Sequence, residues 1–219
     1  GIHKKNPIFD LKKKKVDILV NLSASPYTFK KLELRSKVSS FAAQYLQVPL
    51  IYVNQIGAND NLIFDGNSFI LDKNGSKIKQ LKSFSEDLSS WDIEQTKPQK
   101  NKFEKSEMSS IFDALVLGVR DYAQKCGFKT ALIGLSGGID SALVSAIATA
   151  ALGSNNIYCV SMPSKWSSSH SKSDAKDLAR RLKINFNSIP IENLMSSFEE
   201  SFIKTISFEM AEITNQNIQ

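Results

Sequence analysis

The sequence predicts an α/β fold built from two units, and three observations support this prediction. Short apolar segments of strand length alternate with longer segments of helical periodicity. Residues 94–107 are rich in Lys, Glu, Gln and Ser and include Pro98, a composition typical of a linker. The 219 residues, 42% of them hydrophobic, suffice for one or two such units. We therefore predict units over 1–93 and 108–219, joined by a linker over 94–107.

The first unit begins with a strand, a helix and a second strand. Residues 16–22 form an apolar strand pattern that follows the basic run 12–15. Residues 29–46 show helical periodicity, with a predicted apolar face of Leu32, Leu34, Val38, Phe41, Ala42 and Tyr45. Residues 50–54 are aromatic and β-branched, which favours a strand.

A hairpin is predicted to follow in the first unit. Its strands are residues 68–71 and 78–81, and Asn74-Gly75 between them is suited to the positive φ angles of a tight turn. The order of strand, helix, strand and hairpin fits a fold of α-β-β-α layers.

The second unit opens with a predicted helix over 108–126, on which Ile111, Leu115, Val119 and Tyr122 share one face. After it, strands alternate with helices, which favours a parallel sheet. The strands are residues 130–135, expected to be buried, and residues 158–162; the helices are residues 139–152, 174–182, 192–205 and a segment from 208 onward.

The segment between the first of these strands and its helix reads Gly-Leu-Ser-Gly-Gly-Ile-Asp-Ser. Glycines let the backbone approach an anion closely, and the amides at a helix N-terminus bind phosphate. The two serines add hydroxyl donors, whereas Asp140 suits a Mg²⁺ ion that neutralises a polyphosphate. The segment therefore predicts an ATP site formed by Gly134, Leu135, Ser136, Gly137, Gly138, Ile139, Asp140 and Ser141. A Gly-Gly turn capped by Ser and Asp is the structural alternative.

Composition excludes several other classes of function. No apolar run is long enough to span a membrane. The two cysteines lie outside any metal-binding spacing, so we expect no metal beyond Mg²⁺. Two isolated cysteines also fit a reducing compartment, and we expect a cytoplasmic location by default. The net charge is +6, but only residues 12–15 form a dense basic run. Because the other lysines alternate with acids and lack interleaved aromatics, we expect no nucleic-acid partner.

The eight-residue segment resembles the pyrophosphate loop of the N-type ATP pyrophosphatases. A second segment narrows the resemblance to the NAD synthetases, whose pattern appears as Met162-Pro163-Ser164, Trp166, Ser167-Ser168, His170-Ser171 and Asp174-Ala175. Ser171 or Ser173 also suits an N-cap of the following helix, so capping and ligand contact both remain open. The resemblance implies a Rossmann-like parallel sheet of the adenine nucleotide alpha hydrolase type, of which this chain holds the beginning.

The first unit resembles the C-terminal part of the nitrilase-like glutaminase domain of glutamine-dependent NAD synthetases. The resemblance rests on Asn21-Leu22-Ser23-Ala24-Ser25-Pro26-Tyr27, Lys31, Arg35, residues 52–55 and residues 64–66 with Ser68-Phe69. It implies that Ser25 and Lys31 bind glutamine. Lys30 departs from the family, which usually has glycine there. The family's Glu-Lys-Cys triad has no counterpart in this chain, so no catalytic nucleophile is assigned.

In that family, the carboxylate of deamido-NAD attacks the α-phosphorus of ATP, pyrophosphate leaves, and ammonia from glutamine displaces AMP. The resemblance matches Asn217 to a residue that contacts deamido-NAD. We expect an internal fragment that is inactive by itself, and a homo-oligomer in the full-length protein. Two other interpretations stay open: a tRNA-modifying ATP pyrophosphatase, and a catalytically silent module.

Overall fold

The computed structural model describes residues 6–94 and 106–206. The chain divides into two compact units, Gly1–Tyr122 and Ala123–Gln219. Both contain strands and helices, which confirms the predicted α/β class. Within the described residues, no helix combines the length and the apolarity that crossing a membrane requires.

The described residues of the first unit form three helices and six strands. They are α1 (Pro7–Lys13), β1 (Leu19–Ser23), α2 (Lys31–Leu46), β2 (Leu50–Asn54), β3 (Ile56–Asn59), β4 (Leu62–Asp65), β5 (Phe69–Leu71), β6 (Lys77–Gln80) and α3 (Glu107–Cys126), whose last four residues belong to the second unit. The bounds of β2 are those predicted. The helix α1 and the strands β3 and β4 were not predicted.

Four strands of the first unit form one mixed sheet in the order β1-β2-β5-β6. β1 pairs parallel to β2, with Leu19 opposite Leu50, whereas β2, β5 and β6 pair antiparallel. β3 and β4 form a separate hairpin. The helix α2 packs on the sheet through a cluster of Ala42, Ala43, Leu50, Tyr52, Phe69 and Leu71. In this strand order β2 lies between β1 and β5, and β1 is an edge strand of the sheet as far as the described residues show.

The predicted apolar face of α2 was only partly right, since Ala42 is buried and Leu32 packs against the core. Leu34, Val38 and Phe41 are each more than half exposed. The buried face instead holds Arg35, Ser39, Ala42, Ala43 and Leu46. Small side chains let the helix approach the sheet closely, and Arg35 is buried because an ion pair satisfies its charge.

The predicted β5–β6 hairpin is confirmed, but its turn is built differently. Gly75 has φ +78°, whereas Asn74 has no positive φ. The carboxylate of Asp72 accepts hydrogen bonds from the amides of Asn74 and Ser76, so a side chain organises the turn.

The second unit is a parallel sheet with its helices between the strands. After the end of α3 come β7 (Ala131–Gly134), α4 (Ile139–Leu152), a 3-10 turn (Ser154–Asn156), β8 (Ile157–Ser161), α5 (Ser169–Leu182), β9 (Asn185–Ser188) and α6 (Glu192–Ile206). The strand order is β7-β8-β9, with parallel pairing throughout. The helix α4 has the predicted bounds, whereas β9 was not predicted.

The core of the second unit lies between this sheet and its two crossover helices. Leu135, Ile157 and Cys159 pack against Ala148 of α4 and against Ala175 and Ala179 of α5. The strand over 130–135 was expected to be buried, yet Leu132 is 75% exposed. The described part of the sheet is therefore covered on one face at β7.

The helix α3 contributes to the core of the first unit. Ala114 and Leu117 form a cluster with Phe84. Leu115, Val119 and Tyr122 of the predicted apolar face are exposed. The domain bounds 93 and 107 remain a prediction, and residues 95–105, the segment from 208 onward and Asn217 lie outside the described residues.

Candidate functional site

The loop over 134–141 joins the carboxyl end of β7 to the first turn of α4, as predicted. The amide of Leu135 donates to the carbonyl of Val160 at 2.9 Å, so the strand pairing continues into the loop. Leu135 itself is buried, while Ser136, Gly138 and Asp140 are exposed. The loop is thus anchored by one apolar side chain and presents its polar groups to solvent.

Gly137 brings this loop into close contact with the start of α5. Its φ is +88°, and a Cβ built there would lie 2.2 Å from the backbone oxygen of Ser171. Gly138, by contrast, has φ −82° and ψ 162°, an ordinary extended conformation. Only Gly137 adopts the positive φ that glycine allows. A side chain at this position would push the loop away from α5.

The hydroxyls of Ser136 and Ser141 brace the loop. They lie 3.1 Å apart; Ser141 Oγ donates to the carbonyl of Gly138 at 3.0 Å, and Ser136 Oγ accepts from the amide of Gly138 at 3.2 Å. In this conformation the two hydroxyls hydrogen-bond within the loop, rather than standing free as donors for phosphate. The sequence pattern alone gave no signal of this.

The N-terminus of α4 supplies the remaining donors. Its N-cap is Gly138, and no side chain makes a capping hydrogen bond there. The first amides of a helix lack intrahelical acceptors, and the helix dipole adds partial positive charge, so this terminus can bind an anion. Asp140 lies in the first turn with an exposed carboxylate.

A cleft of about 200 Å³ lies beside the loop, where β7 and β8 both end. Its walls combine the loop with the segment that follows β8, and they include Ser136, Ser161, Ser167, Ser171 and Lys172. Ligands of open parallel sheets bind in such crevices at the carboxyl ends of strands. Lys172 was missed from the sequence, although it lies inside the Ser-rich segment that was singled out.

The Ser-rich segment forms the beginning of α5 earlier than predicted. The helix starts at Ser169, not near Asp174, and its N-cap is Ser168, whose hydroxyl accepts from the amide of Ser171 at 3.0 Å. Ser171 and Ser173 are therefore not the cap, as had been considered. Ser171 is instead available to line the cleft.

The first unit places Ser25 beside the carboxyl end of β2 and Lys31 at the start of α2. The amide of Ser25 donates to the side-chain oxygen of Asn54, the last residue of β2, at 2.9 Å. Lys31 is the first residue of α2 and is partly exposed. Lys30 precedes it in the left-handed conformation, with φ 60° and ψ 10°. The helix is therefore preceded by a lysine in a backbone conformation that suits glycine.

A buried ion pair between Arg35 and Asp65 contacts Ser25 through Arg35. Arg35 and Asp65 are 5% and 1% exposed, and the guanidinium donates to the carboxylate at 2.7 Å. The other oxygen of Asp65 accepts from Asn67 at 2.7 Å.

Burial, reinforced by the negative charges of Asp65 and Glu107, raises the pKa of Tyr27 above its usual value of 10.0.

The described residues lack a metal-binding cluster, and their two thiols lie in different surroundings. Residues 6–94 and 106–206 contain no group of three His, Cys, Asp or Glu side chains suited to a metal ion. Cys159 is fully buried in the core of the second unit, whereas Cys126, the last residue of α3, is exposed.

Two family models match the two halves of the chain. Residues 2–100 match the carbon-nitrogen hydrolase family, and residues 111–219 match the NAD synthase family. These matches confirm the fold class expected from the resemblance, which places a nitrilase-like region before a Rossmann-like region.

Relatives and solved structures agree with this order of regions. The glutamine-dependent NAD(+) synthetase of Synechocystis sp. is 43% identical over 219 residues, which are 98% of this chain and 39% of the relative. That of Rhodobacter capsulatus is 37% identical over 93% of this chain and 38% of the relative. The chain thus spans about two fifths of the length of these relatives.

The solved glutamine-dependent NAD+ synthetase of Acinetobacter baumannii, in complex with ADP, has a TM-score of 0.88 and 35% identity over 96% of this chain and 41% of that chain. The synthetase of Cytophaga hutchinsonii, at 20% identity and a TM-score of 0.83, shares the fold.

Proposed function

Because this chain belongs to the glutamine-dependent NAD(+) synthetase family, we propose that it serves the ATP-dependent amidation of deamido-NAD to NAD with ammonia from glutamine. Its second unit would bind ATP, and its first unit would contribute to the glutamine site. The full reaction is proposed for a protein of the relatives' length that carries these residues.

The observation that carries this proposal is the loop over 134–141. It lies at the carboxyl end of a parallel strand, it leads into a helix without a side-chain cap, and it borders a cleft. Backbone amides in this arrangement suit the pyrophosphate part of a nucleotide. The resemblance to pyrophosphate loops, which rests on the residue types, points to the same ligand.

The proposed reaction needs no protein nucleophile in the second unit. The carboxylate of deamido-NAD attacks the α-phosphorus of ATP and displaces pyrophosphate; ammonia then attacks the resulting acyl adenylate and displaces AMP. Negative charge accumulates on the departing pyrophosphate. Amides at the start of α4, and Lys172 in the cleft wall, are suited to stabilise that charge by position alone.

The loop offers a carboxylate ligand that suits a magnesium ion bound together with the nucleotide. Mg²⁺ is commonly held by one or two carboxylates, with phosphate oxygens and water completing its coordination. Asp140 offers one exposed carboxylate beside the proposed phosphate site. Bound there, the ion would neutralise charge on the polyphosphate.

Ser25 and Lys31 are proposed to bind the glutamine substrate. A hydroxyl and an ammonium suit the carboxylate of an amino acid; Ser25 lies at the carboxyl end of β2, and Lys31 is the first residue of α2. Asn217 is proposed to contact deamido-NAD on the strength of the sequence resemblance alone.

The tRNA-modifying alternative is not favoured, because the relatives that match across both halves of the chain are NAD synthetases. The cytoplasmic location, the lack of a nucleic-acid partner and the homo-oligomeric state remain predictions.

The decisive experiment uses a full-length synthetase that carries this sequence. Asp140→Ala should abolish AMP and NAD formation from deamido-NAD and Mg·ATP, while glutamine hydrolysis continues. Glu192→Ala is the matched control, since Glu192 is also an exposed acidic residue in the first turn of a helix of the same unit. The proposal is wrong if the unsubstituted enzyme forms no NAD, or if Asp140→Ala leaves AMP formation intact.

A further inference from the structure

Every polar atom of Ser25 takes part in a hydrogen bond. Its amide donates to Asn54 at 2.9 Å, and its carbonyl accepts from Asn54 at 3.2 Å and from Arg35 at 2.8 Å. Its hydroxyl oxygen accepts from Nε of Arg35 at 3.1 Å. These bonds fix both the backbone and the side chain of Ser25, although the residue is only partly buried.

Arg35 makes two of these four hydrogen bonds with a single planar group. Besides the two bonds to Ser25, its Nη2 donates to the carbonyl of Pro26 at 3.0 Å and its Nη1 to the carboxylate of Asp65. The guanidinium therefore joins the Ser25-Pro26 segment to β4. Lysine has no fork of donors and cannot make these contacts at once.

We propose that Arg35 is a positioning residue of the glutamine site, acting through Ser25. This inference rests on the proposed function of Ser25 and Lys31. Because Arg35 donates to the Ser25 hydroxyl oxygen, the hydroxyl hydrogen remains free to point away from Arg35. Ser25 is thereby set as a hydrogen-bond donor toward a substrate acceptor such as a carboxylate.

The helix α2 couples Arg35 to the second proposed glutamine residue. Lys31 and Arg35 are four residues apart and lie on the same face of α2. Asp65 neutralises the buried guanidinium, whereas Lys31 has no side-chain partner in residues 6–94 and 106–206. One turn of helix therefore carries Lys31, whose ammonium has no partner among the described residues, and Arg35, whose guanidinium bonds Ser25, Pro26 and Asp65.

The test is a double-substitution cycle in a full-length synthetase that carries this sequence. Arg35→Lys keeps the charge beside Asp65 but removes the fork. We expect it to raise KM for glutamine about tenfold, the size of one charge-assisted hydrogen bond, with kcat little changed. NAD formation driven by added ammonia should stay the same, because it bypasses the glutamine site. Ser25→Ala should raise KM similarly, and the doubly substituted enzyme should be no worse than Ser25→Ala alone.

Arg35→Met combined with Asp65→Leu is a second route, because it removes both buried charges together and leaves neither unpaired. If Arg35→Lys fails to fold, this double variant takes its place in the test, and we expect it to show the same rise in KM for glutamine. The inference is overturned if glutamine-driven and ammonia-driven rates fall together, if neither changes, or if the effects of Arg35→Lys and Ser25→Ala multiply. An unsubstituted enzyme that forms no NAD even with ammonia would instead refute the proposed function.

Discussion

Substituting Gly137 by alanine tests the contact between the loop and α5. The added Cβ would lie 2.2 Å from the Ser171 oxygen and 2.8 Å from its carbonyl carbon and Cα. Ordinary contact begins at 3.4 Å, so the backbone of α5 would have to withdraw by about 1 Å. A backbone oxygen cannot rotate away, and overpacking of this kind destabilises by about 1–3 kcal/mol.

Gly153→Ala is the matched control within the same unit. Gly153 has φ +85°, close to the +88° of Gly137, but no atom lies within 4 Å of a Cβ built on it. Its substitution therefore brings backbone strain alone, about 1–3 kcal/mol. We expect Gly137→Ala to lose about 1–3 kcal/mol more in free energy of unfolding than Gly153→Ala.

Urea unfolding of the chain measures this difference. The sequence contains two tryptophans, Trp91 and Trp166. In a Trp91→Phe background, fluorescence reports on the second unit alone. Protection of each variant against heating by Mg·ATP adds a functional readout, and only Gly137→Ala should lose it. Equal unfolding midpoints for the two alanine variants would refute the close approach of Gly137 to Ser171.

Three further predictions concern the first unit. Lys30→Gly should stabilise the chain by about 1 kcal/mol in chemical unfolding, because Lys30 adopts the left-handed conformation. Asp65→Ala should destabilise it by about 3–5 kcal/mol, since Arg35 would remain buried and unpaired. The control Asp177→Ala, in the second unit, breaks two exposed ion pairs and should shift the unfolding midpoint little. Burial, and to a lesser extent two acidic residues, raises the pKa of Tyr27 in the folded chain above 10.0. The contribution of this pKa shift to stability is therefore complete below pH 10.0 and is lost as the pH rises through the folded pKa. Unfolding free energies measured across that range should fall less steeply for Tyr27→Phe than for the unsubstituted chain.

Local sequence patterns predicted the elements that end at strong boundary residues. The helix α4 has its predicted bounds because Gly138 and Gly153 flank it. The strands β3 and β9 were missed because their sequences, Ile-Gly-Ala-Asn and Asn-Phe-Asn-Ser, carry little strand signal and depend on pairing with neighbours.

Long-range contacts decided the details that the sequence did not predict. The buried face of α2 depends on Arg35 meeting Asp65, which lies 30 residues away in the chain. The position of the loop over 134–141 followed from its residue types. Its internal hydrogen bonds depend on loop geometry, and the contact of Gly137 with α5 depends on tertiary packing. Residue types thus predicted where the loop lies, and packing determined its internal contacts.

The unequal accessibility of the two thiols makes the chain convenient for spectroscopy. Cys159 has no exposed surface, whereas Cys126 is open to solvent at the last residue of α3. A maleimide dye or spin label should therefore attach at one defined position while the chain is folded, without prior removal of any cysteine. Slow labelling of the second thiol would then report the rate at which the core of the second unit opens.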